Sequence, residues 1–228
     1  MELPRILEPP PGRVLVLAPH PDDESCGLGG TLARHRAQGD PVRVCFLTDG
    51  GSGDPDGREA GDVAALRQRE ARAAAEVLGG LDCEFWGYPD GFEVNEGDLR
   101  MVGTRMADAI RSWRADLVYV PWEGEAHSDH ANAWAALRVA LRLLRAEGGG
   151  PLPRVLEYEV WSPLPADWII DVTSTAEKKR AAMLAHASQV AYTDYPHQLM
   201  GLAAHRSVYL PKSSRYGEAF REGRSILE

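Results

Sequence analysis

The sequence predicts an α/β fold in which helices cover both faces of a mostly parallel sheet. Short apolar runs alternate with longer amphipathic segments, and these runs contain few of the polar residues that a strand with one wet face would carry. A strand buried on both faces needs nearly continuous Val, Leu and Ile, and parallel neighbours need a helical crossover between them. Both requirements are met, so we expect a doubly wound sheet.

The first 150 residues repeat a unit of strand and helix. The strands are mainly apolar runs, such as VLVLA at 14–18 and VRVCFLT at 42–48, and the segments between them have apolar residues at helical spacing. We expect the strands at 14–18, 42–48, 83–88 and 116–122, and the helices near 26–38, 61–79, 98–114 and 130–146.

The last third of the chain has a less regular pattern. VLEYEVW at 155–161 and WIIDV at 168–172 predict two more strands, and a helix that opens on a Ser/Thr cluster is expected near 174–188. Residues 189–228 are rich in Tyr, His, Gly and Pro, and we assign no element to them.

A chain of 228 residues suits one domain with a large core. The internal boundary that the composition suggests is the Gly-Gly-Gly-Pro turn at 148–151. We therefore expect a single domain over 1–228, with a Rossmann-like core at about 12–150 and a C-terminal elaboration at 151–228.

Charge and cysteine content narrow the function classes. A formal net charge of -9 gives a surface field that repels phosphate backbones and anionic lipid, so neither a nucleic acid nor a membrane partner is expected. The N-terminus lacks the apolar core of a signal peptide. The three cysteines are odd in number and widely spaced, which argues against disulfides and cysteine zinc sites and favours a cytoplasmic protein.

Polar residues collect in the loops that follow the predicted strands. In an open parallel sheet, ligands bind outside the carboxyl ends of the strands, where the strand order reverses. His-Pro-Asp-Asp-Glu at 20–24 follows the first strand, and residues 123–130, which include His-Ser-Asp-His, follow the fourth. The loops at 49–54 and 89–91 are also acidic. Three of the seven histidines lie in just two of these loops.

These residue types suit a catalytic zinc site, which takes three ligands from His, Asp or Glu and leaves a position for water. His20, Asp23 and one histidine of the later loop would supply such a set. Asp22 lies between two ligands, where its carboxylate can serve as the general base for a bound water. Glu24 is interpreted as an acid that complements the dipole of the following helix.

The second histidine of the HSDH loop would then face the substrate. If His130 binds the metal, a protonated His127 can stabilise the oxyanion that forms when water attacks a carbonyl. Asp129 would orient that imidazole and hold it in its charged form.

Each of these motifs alone is also typical of solvated surface, and it is their co-occurrence at strand ends that favours a site. The glycines at 26–30 do not complete a dinucleotide pattern, because Leu32 stands where the third glycine belongs, and close helix packing is the expected role. We assign no role to Asp194, Tyr195, His197 and His205.

With these residues in place, the chain resembles the LmbE-like (PIG-L) family of zinc-dependent N-acetylglucosamine deacetylases. The motifs that carry the resemblance are APHPDDE at 18–24, LTDG at 47–50, RQREARAAAEVLG at 67–79, HSDH at 127–130, KKRAAMLAHASQ at 178–189 and RYGEAF at 215–220. Together they span most of the chain.

The resemblance implies a role for each residue of the candidate site. The implied ligands of Zn²⁺, or of a similar divalent ion, are His20, Asp23 and His130. Asp22 would be the general base, and His127, paired with Asp129, would be the electrostatic stabiliser. Arg67 matches a position that contacts the substrate in some members, and a solvent-facing helix residue is the alternative.

The implied activity is metal-dependent removal of the N-acetyl group from a small N-acetylglucosamine conjugate of the bacillithiol type, with release of acetate. Relatives often form homo-oligomers, so such an assembly is an open expectation. The chain has Glu123 and Glu125 where some relatives carry a tyrosine, which suggests a different specificity. The alternatives are a non-catalytic or regulatory metal-binding protein of the same fold and a nucleotide-binding oxidoreductase.

Overall fold

The computed structural model describes residues 4–59, 61–91, 96–148 and 150–223. The strands of the described chain are β1 (Arg5–Ile6), β2 (Val14–Ala18), β3 (Val42–Thr48), β4 (Asp82–Tyr88), β5 (Leu117–Pro121), β6 (Arg154–Tyr158), β7 (Trp168–Asp171) and β8 (Gly217–Glu222). The α-helices are α1 (Asp23–Ala37), α2 (Val63–Val77), α3 (Glu96–Trp113), α4 (Ser128–Glu147), α5 (Ala176–Ala185), α6 (Ala187–Val190) and α7 (Tyr195–Arg206).

All these strands form one sheet in the order β1-β7-β8-β6-β5-β2-β3-β4. The pairs from β6 through β5, β2 and β3 to β4 are parallel, and β8 runs antiparallel to β6 and β7. The chain moves outward from β2 to β4 and then returns to the other side of β2 as β5. The strand order therefore reverses between β2 and β5, and the predicted α/β class with a mostly parallel sheet is confirmed.

Strand β2 lies between two apolar layers and has no exposed residue. Val14, Val16 and Ala18 face the layer formed with α1, α2 and α5, while Leu15 and Leu17 face the layer formed with α3 and α4. Burial on both faces explains the continuous apolar run in the sequence. Among the described helices, none combines the length and the apolar character that crossing a bilayer requires.

Helix α1 starts earlier than predicted, at Asp23, and its helical geometry is broken at Leu28 (φ -136°, ψ 21°). The break is stabilised from the C-terminal region, because Lys179 Nζ donates to the carbonyl of Cys26 at 2.7 Å. A Cβ on Gly30 would lie 2.7 Å from the side chain of Val172, and one on Gly27 would meet Tyr158. These glycines serve close packing, as expected, and not a dinucleotide.

The C-terminal region adds more structure than the sequence predicted. The expected helix near 174–188 is a 3₁₀ turn (Thr173–Thr175) followed by α5 and α6, with non-helical His186 between the two helices. The unassigned residues after 189 contain α7 and β8. Strands from both sides of residue 150 lie in one sheet, although the single-domain division stays a prediction, and Gly149 of the predicted boundary is outside the described residues.

Candidate metal centre and active site

The turn between β2 and α1 brings His20 and Asp23 together. The Asp23 Oδ2 atom accepts the backbone N–H of His20 at 2.8 Å and lies 3.2 Å from the His20 Nδ1 atom. Asp22, between them, has φ 148° and ψ -25°, a conformation that a residue with a Cβ rarely adopts. Asp22 therefore has a strained main chain between the two candidate ligands.

The loop between β5 and α4 brings the histidines of the HSDH motif to the same point. His130 is fully buried, and its Nε2 atom lies 3.2 Å from Asp23 Oδ2. His127 precedes α4 as its N-cap, and its ring is centred 4.7 Å from that of His20. The two loops therefore meet where the strand order reverses, and Asp23 is close to both His20 and His130.

The atoms at this point are suited to a divalent cation with nitrogen and oxygen ligands. Within the described residues, Asp23 Oδ1 and the His130 Nε2 atom are buried without a hydrogen-bond partner. Donor atoms of His20, His127 and His130 lie within 4.8 Å of one another, and so do those of His20, Asp90 and Asp129. Asp90, from the loop after β4, was not among the predicted ligands.

The charges around the histidines favour a cation. Burial lowers the pKa of His20, but hydrogen bonds to Asp129 and Asp23 outweigh it and raise the pKa to about 10. Burial also lowers the pKa of His130, but the charge of Asp23 outweighs this effect and raises the pKa to about 9. Burial raises the pKa of Asp23, but His130 and His20 hold it well below its usual range. The carboxylates around both rings therefore favour positive charge at this point.

Asp22 is held by Arg67, whose side chain is 4% exposed. Arg67 Nη2 donates to Asp22 Oδ2 at 3.0 Å and to the Pro21 carbonyl at 2.8 Å, and Nη1 donates to the Gly50 carbonyl at 3.0 Å. Burial raises the pKa of the Asp22 carboxyl, and the Arg67 charge opposes that rise. The solvent-facing alternative for Arg67 is wrong, because the side chain is buried and both of its terminal nitrogens donate inside the site. The buried Nε atom has no hydrogen-bond partner among the described residues, and substrate contact stays a prediction.

The predicted pairing of Asp129 with the His127 ring is corrected by the structure. The Asp129 carboxylate accepts from His20 Nε2 at 3.0 Å and from the Gly91 N–H at 2.9 Å, so it orients His20. His127 Nδ1 instead accepts the backbone N–H of Asp129 at 3.2 Å. The reason is local: the first N–H groups of α4 have no acceptor within the helix, and the N–H of Asp129 donates to the Nδ1 atom of His127. Burial and the charge of His20 lower the pKa of His127.

Glu125 is a buried residue of the site that was not among the predicted site residues. In the sequence it is notable only because some relatives carry a tyrosine in this region. Its Oε1 atom accepts the backbone N–H groups of Val160 at 2.6 Å and Trp161 at 3.1 Å. Its Oε2 atom lies 3.7 Å from His130 Nδ1, on the side of the ring away from Asp23. Metal-binding histidines commonly have a carboxylate beside the ring nitrogen that does not bind the metal. The position of Glu125 five residues before His130 could therefore have suggested this role.

A cavity of about 540 Å³ opens over these residues. Its lining includes the candidate site residues His20, Asp22, Asp23, Arg67 and His127, together with Ser52, Gly53, Asp90, Gly91, Ser128, Trp161, Gln189 and Tyr195. Trp161 is 38% exposed, and its ring is centred 5.3 Å from that of Tyr195. Tyr195 thus reaches the cavity, whereas Asp194 accepts the N–H of His197 as the N-cap of α7.

Residues 15–141 match the family described as PIG-L: GlcNAc-PI de-N-acetylase, which covers more than half of the chain. The chain belongs to the PIG-L family. The matched region of this PIG-L protein contains every residue of the predicted site. Trp161, Tyr195 and the other C-terminal residues of the cavity lie outside it.

Several similar proteins are named as deacetylases. The diacetylchitobiose deacetylase of Thermococcus kodakarensis is 30% identical over 194 residues, with 78% of this chain and 70% of that protein covered. The 1D-myo-inositol 2-acetamido-2-deoxy-alpha-D-glucopyranoside deacetylase of Kineococcus radiotolerans is 30% identical over 195 residues. This match covers 67% of this chain and 53% of that protein. The structure of N,N'-diacetylchitobiose deacetylase from Pyrococcus horikoshii superimposes with a TM-score of 0.76 at 26% identity, covering 92% and 82%.

The similar proteins also include one that is named for a different reaction. The 4-oxalmesaconate hydratase of Pseudomonas putida is 28% identical over 212 residues, with 84% of this PIG-L chain and 79% of that protein covered. Proteins of this similarity therefore include both deacetylases and a hydratase.

Proposed function

We propose that this PIG-L protein is a metal-dependent hydrolase that removes the N-acetyl group from a small N-acetylglucosamine conjugate and releases acetate. The observation that carries the proposal is the meeting of His20, Asp23 and His130 beside Asp22, at the point where the strand order reverses. The names of the most similar deacetylases support the same reaction on the same class of sugar.

His20, Asp23 and His130 would hold the ion, Zn²⁺ or a similar divalent cation. When bound, such an ion polarises a carbonyl group and lowers the pKa of a coordinated water toward about 7. Asp129 orients His20 through its Nε2 atom, and Glu125 lies behind His130. The Asp129 carboxylate thereby keeps the His20 imidazole directed at the site, and the Glu125 charge lies 3.7 Å from the far nitrogen of the His130 ring.

Asp22 is the proposed general base. It accepts a proton from the water that adds to the acetyl carbonyl, and it returns that proton to the nitrogen when the carbon–nitrogen bond breaks. The products are acetate and a free amine. The bond from Arg67 keeps the Asp22 carboxylate in place and favours its charged form.

His127 is the proposed stabiliser of the oxyanion, and it would act as a neutral donor. Because its Nδ1 atom accepts the N–H of Asp129, the ring proton lies on Nε2. An N–H group fixed in this way is available to the oxygen on which negative charge develops. This replaces the charged imidazole that the sequence predicted.

The cavity suits a sugar conjugate. Trp161 and Tyr195 form an aromatic wall for the apolar face of a pyranose, and Ser52, Asp90 and Gln189 offer polar groups to its hydroxyls. The acidic lining also agrees with a product that carries an amine. A conjugate of the bacillithiol type fits this description and stays the preferred substrate class.

Acetate release tests the proposal directly. The purified protein is stripped with a chelator, reloaded with Zn²⁺, and supplied with N-acetylglucosaminyl malate, the inositol conjugate and diacetylchitobiose. We expect acetate only from the loaded protein, and a loss of about 10²- to 10⁴-fold in Asp22→Asn with metal retained. Stoichiometric zinc without acetate from any substrate would instead favour a non-catalytic metal-binding protein, and tight NAD(H) binding an oxidoreductase.

Hydration of a carbon–carbon double bond is the second candidate, because the similar protein from Pseudomonas putida is named as a hydratase. Addition of water needs the same kind of base and cation. The assay is therefore repeated with 4-oxalmesaconate, and its turnover in the absence of acetate release would replace the first proposal. The expected homo-oligomer stays a prediction, which light scattering on the same preparation checks.

A further inference from the structure

Of residues 186–189, His-Ala-Ser-Gln, Gln189 lines the cavity and already has a part in the proposed function, whereas His186 and Ser188 are not among the lining residues. They end the KKRAAMLAHASQ motif: His186 links α5 to α6, and residues 187–189 lie in α6. His186, Ser188 and Gln189 are all buried. A surface turn would leave such groups in water, so their burial calls for partners.

Each of these side chains contacts a segment that supports the cavity. Ser188 donates from its N–H and its Oγ to the two carboxylate oxygens of Glu70, at 2.8 and 2.6 Å. Gln189 Nε2 donates to the Gly53 carbonyl at 2.9 Å. His186 Nε2 lies 3.4 Å from Glu24 Oε1, which is an ionic contact, and neither ring nitrogen of His186 has a hydrogen-bond partner among the described residues.

Glu24 connects His186 to the proposed base. It lies in the first turn of α1, as expected for an acid that complements the helix dipole, but it is only 1% exposed and has specific buried partners. Its Oε2 atom accepts the backbone N–H of Asp22 at 3.2 Å, and its Oε1 atom accepts from Ser25 Oγ at 2.6 Å. The Glu24 carboxylate therefore holds the main chain of Asp22, while Arg67 holds its side chain.

The backbone of Asp22 needs such support. A residue with a Cβ at φ 148° costs on the order of 1–3 kcal/mol and persists only when its surroundings hold it. If this support were lost, the main chain of Asp22 would relax, and its carboxylate would move from its present position beside Arg67. A displacement of about 1 Å from a productive position can lower a rate about 10²-fold.

We propose that Glu24 and His186 are positioning residues, which keep the Asp22 carboxylate in its working place by clamping the strained main chain beneath it. The proposal rests on the proposed function of Asp22 for its kinetic consequence, but its structural consequence is independent. The C-terminal elaboration is thereby part of the active site, through a histidine that touches neither substrate nor metal.

The test compares Glu24→Ala, Glu24→Gln and His186→Asn with His35→Asn as a matched control. His35 is also a fully buried histidine beside a carboxylate, 2.7 Å from Asp40 Oδ2, and it lies outside the cavity. We expect kcat for acetate release to fall about 10- to 100-fold in Glu24→Ala and about tenfold in His186→Asn, with KM and zinc content unchanged. Glu24→Gln keeps an acceptor oxygen and should remain within about threefold of the wild type.

The control variant should lower the melting temperature and leave kcat unchanged. A crystal structure of Glu24→Ala gives a readout that needs no activity: we expect φ of Asp22 to move to negative values. If Glu24→Ala does not fold, His186→Asn carries both measurements. Unchanged kcat with a lowered melting temperature, an equal loss in Glu24→Gln and Glu24→Ala, or an unmoved Asp22 would overturn the proposal. If the wild type releases no acetate, the proposed function fails while the crystal structure still decides this inference.

Discussion

Replacing Arg67 by methionine should separate its support of Asp22 from a contact with substrate. The guanidinium makes three hydrogen bonds of 2.8 to 3.0 Å, to the carbonyls of Pro21 and Gly50 and to the Asp22 carboxylate. Both charged side chains are 4% exposed, so water does not screen the pair. Methionine keeps most of the volume and removes all three bonds and the charge.

The loss should be large and should depend on pH. Removing one partner of a buried pair typically costs about 3–5 kcal/mol, because the other charge is left without compensation. Burial already raises the pKa of Asp22 and Arg67 opposes that rise, so in the variant the pKa moves further upward. Asp22 then stays protonated, and inactive as a base, to a higher pH.

The measurements are kcat/KM for acetate release against pH, and the free energy of unfolding in denaturant. We expect the acidic limb of the profile to move to higher pH in Arg67→Met, because the charge that opposes the rise in the Asp22 pKa is removed. Arg67→Lys keeps a charge but not the planar fork, so it should move the limb less. A limb that stays in place while KM alone rises would refute this reasoning and favour a direct contact between Arg67 and the substrate.

Three further predictions follow from other parts of the structure. Zinc binding between pH 6 and 8 should release about two protons, because the pKa values of His20 (about 10) and His130 (about 9) favour protonated rings before the ion binds. Calorimetry in buffers of different ionisation enthalpy measures the number of protons released. Release of fewer than one proton would contradict this prediction. Trp161→Ala should raise KM for a sugar conjugate roughly 2- to 10-fold with little change in kcat, since an aromatic contact is worth about 0.5–1.5 kcal/mol, and an unchanged KM would count against the aromatic wall. Gly30→Ala should lower the free energy of unfolding by about 1–3 kcal/mol, because its Cβ would meet a side chain at 2.7 Å, whereas Gly201→Ala, with open space in α7, should not; equal denaturation midpoints would refute the packing role.

The loops of the site were predictable because they follow from the parallel topology. Carboxyl ends of neighbouring parallel strands lie at one edge of the sheet, so residues 20–24 and 127–130 had to come close if β2 and β5 were neighbours. The chemical types of His20, Asp23 and His130 then indicated a metal. No assumption about the direction of a single side chain was required for that step.

The partners within the site were not predictable in the same way. Asp129 is two residues from His127 in sequence, yet its carboxylate orients His20 from the other loop. Glu24 looks like a helix-capping acid and is in fact buried between Asp22 and His186. Such pairings depend on rotamers and on a contact across 162 residues of chain (186 − 24), which local patterns do not record.

The chain's own pattern of apolar runs and polar loops determined the fold class, the order of the central elements and the candidate ligands, because these follow from local periodicity and residue chemistry. Only the tertiary structure decided that Arg67 faces Asp22, that Glu125 stands behind His130, and that α7 brings Tyr195 to the cavity. The physical reason is that a charged or polar group is placed by whichever buried partner satisfies it. For the C-terminal residues that partner lies on a distant segment, and the folded sheet alone brings the two together.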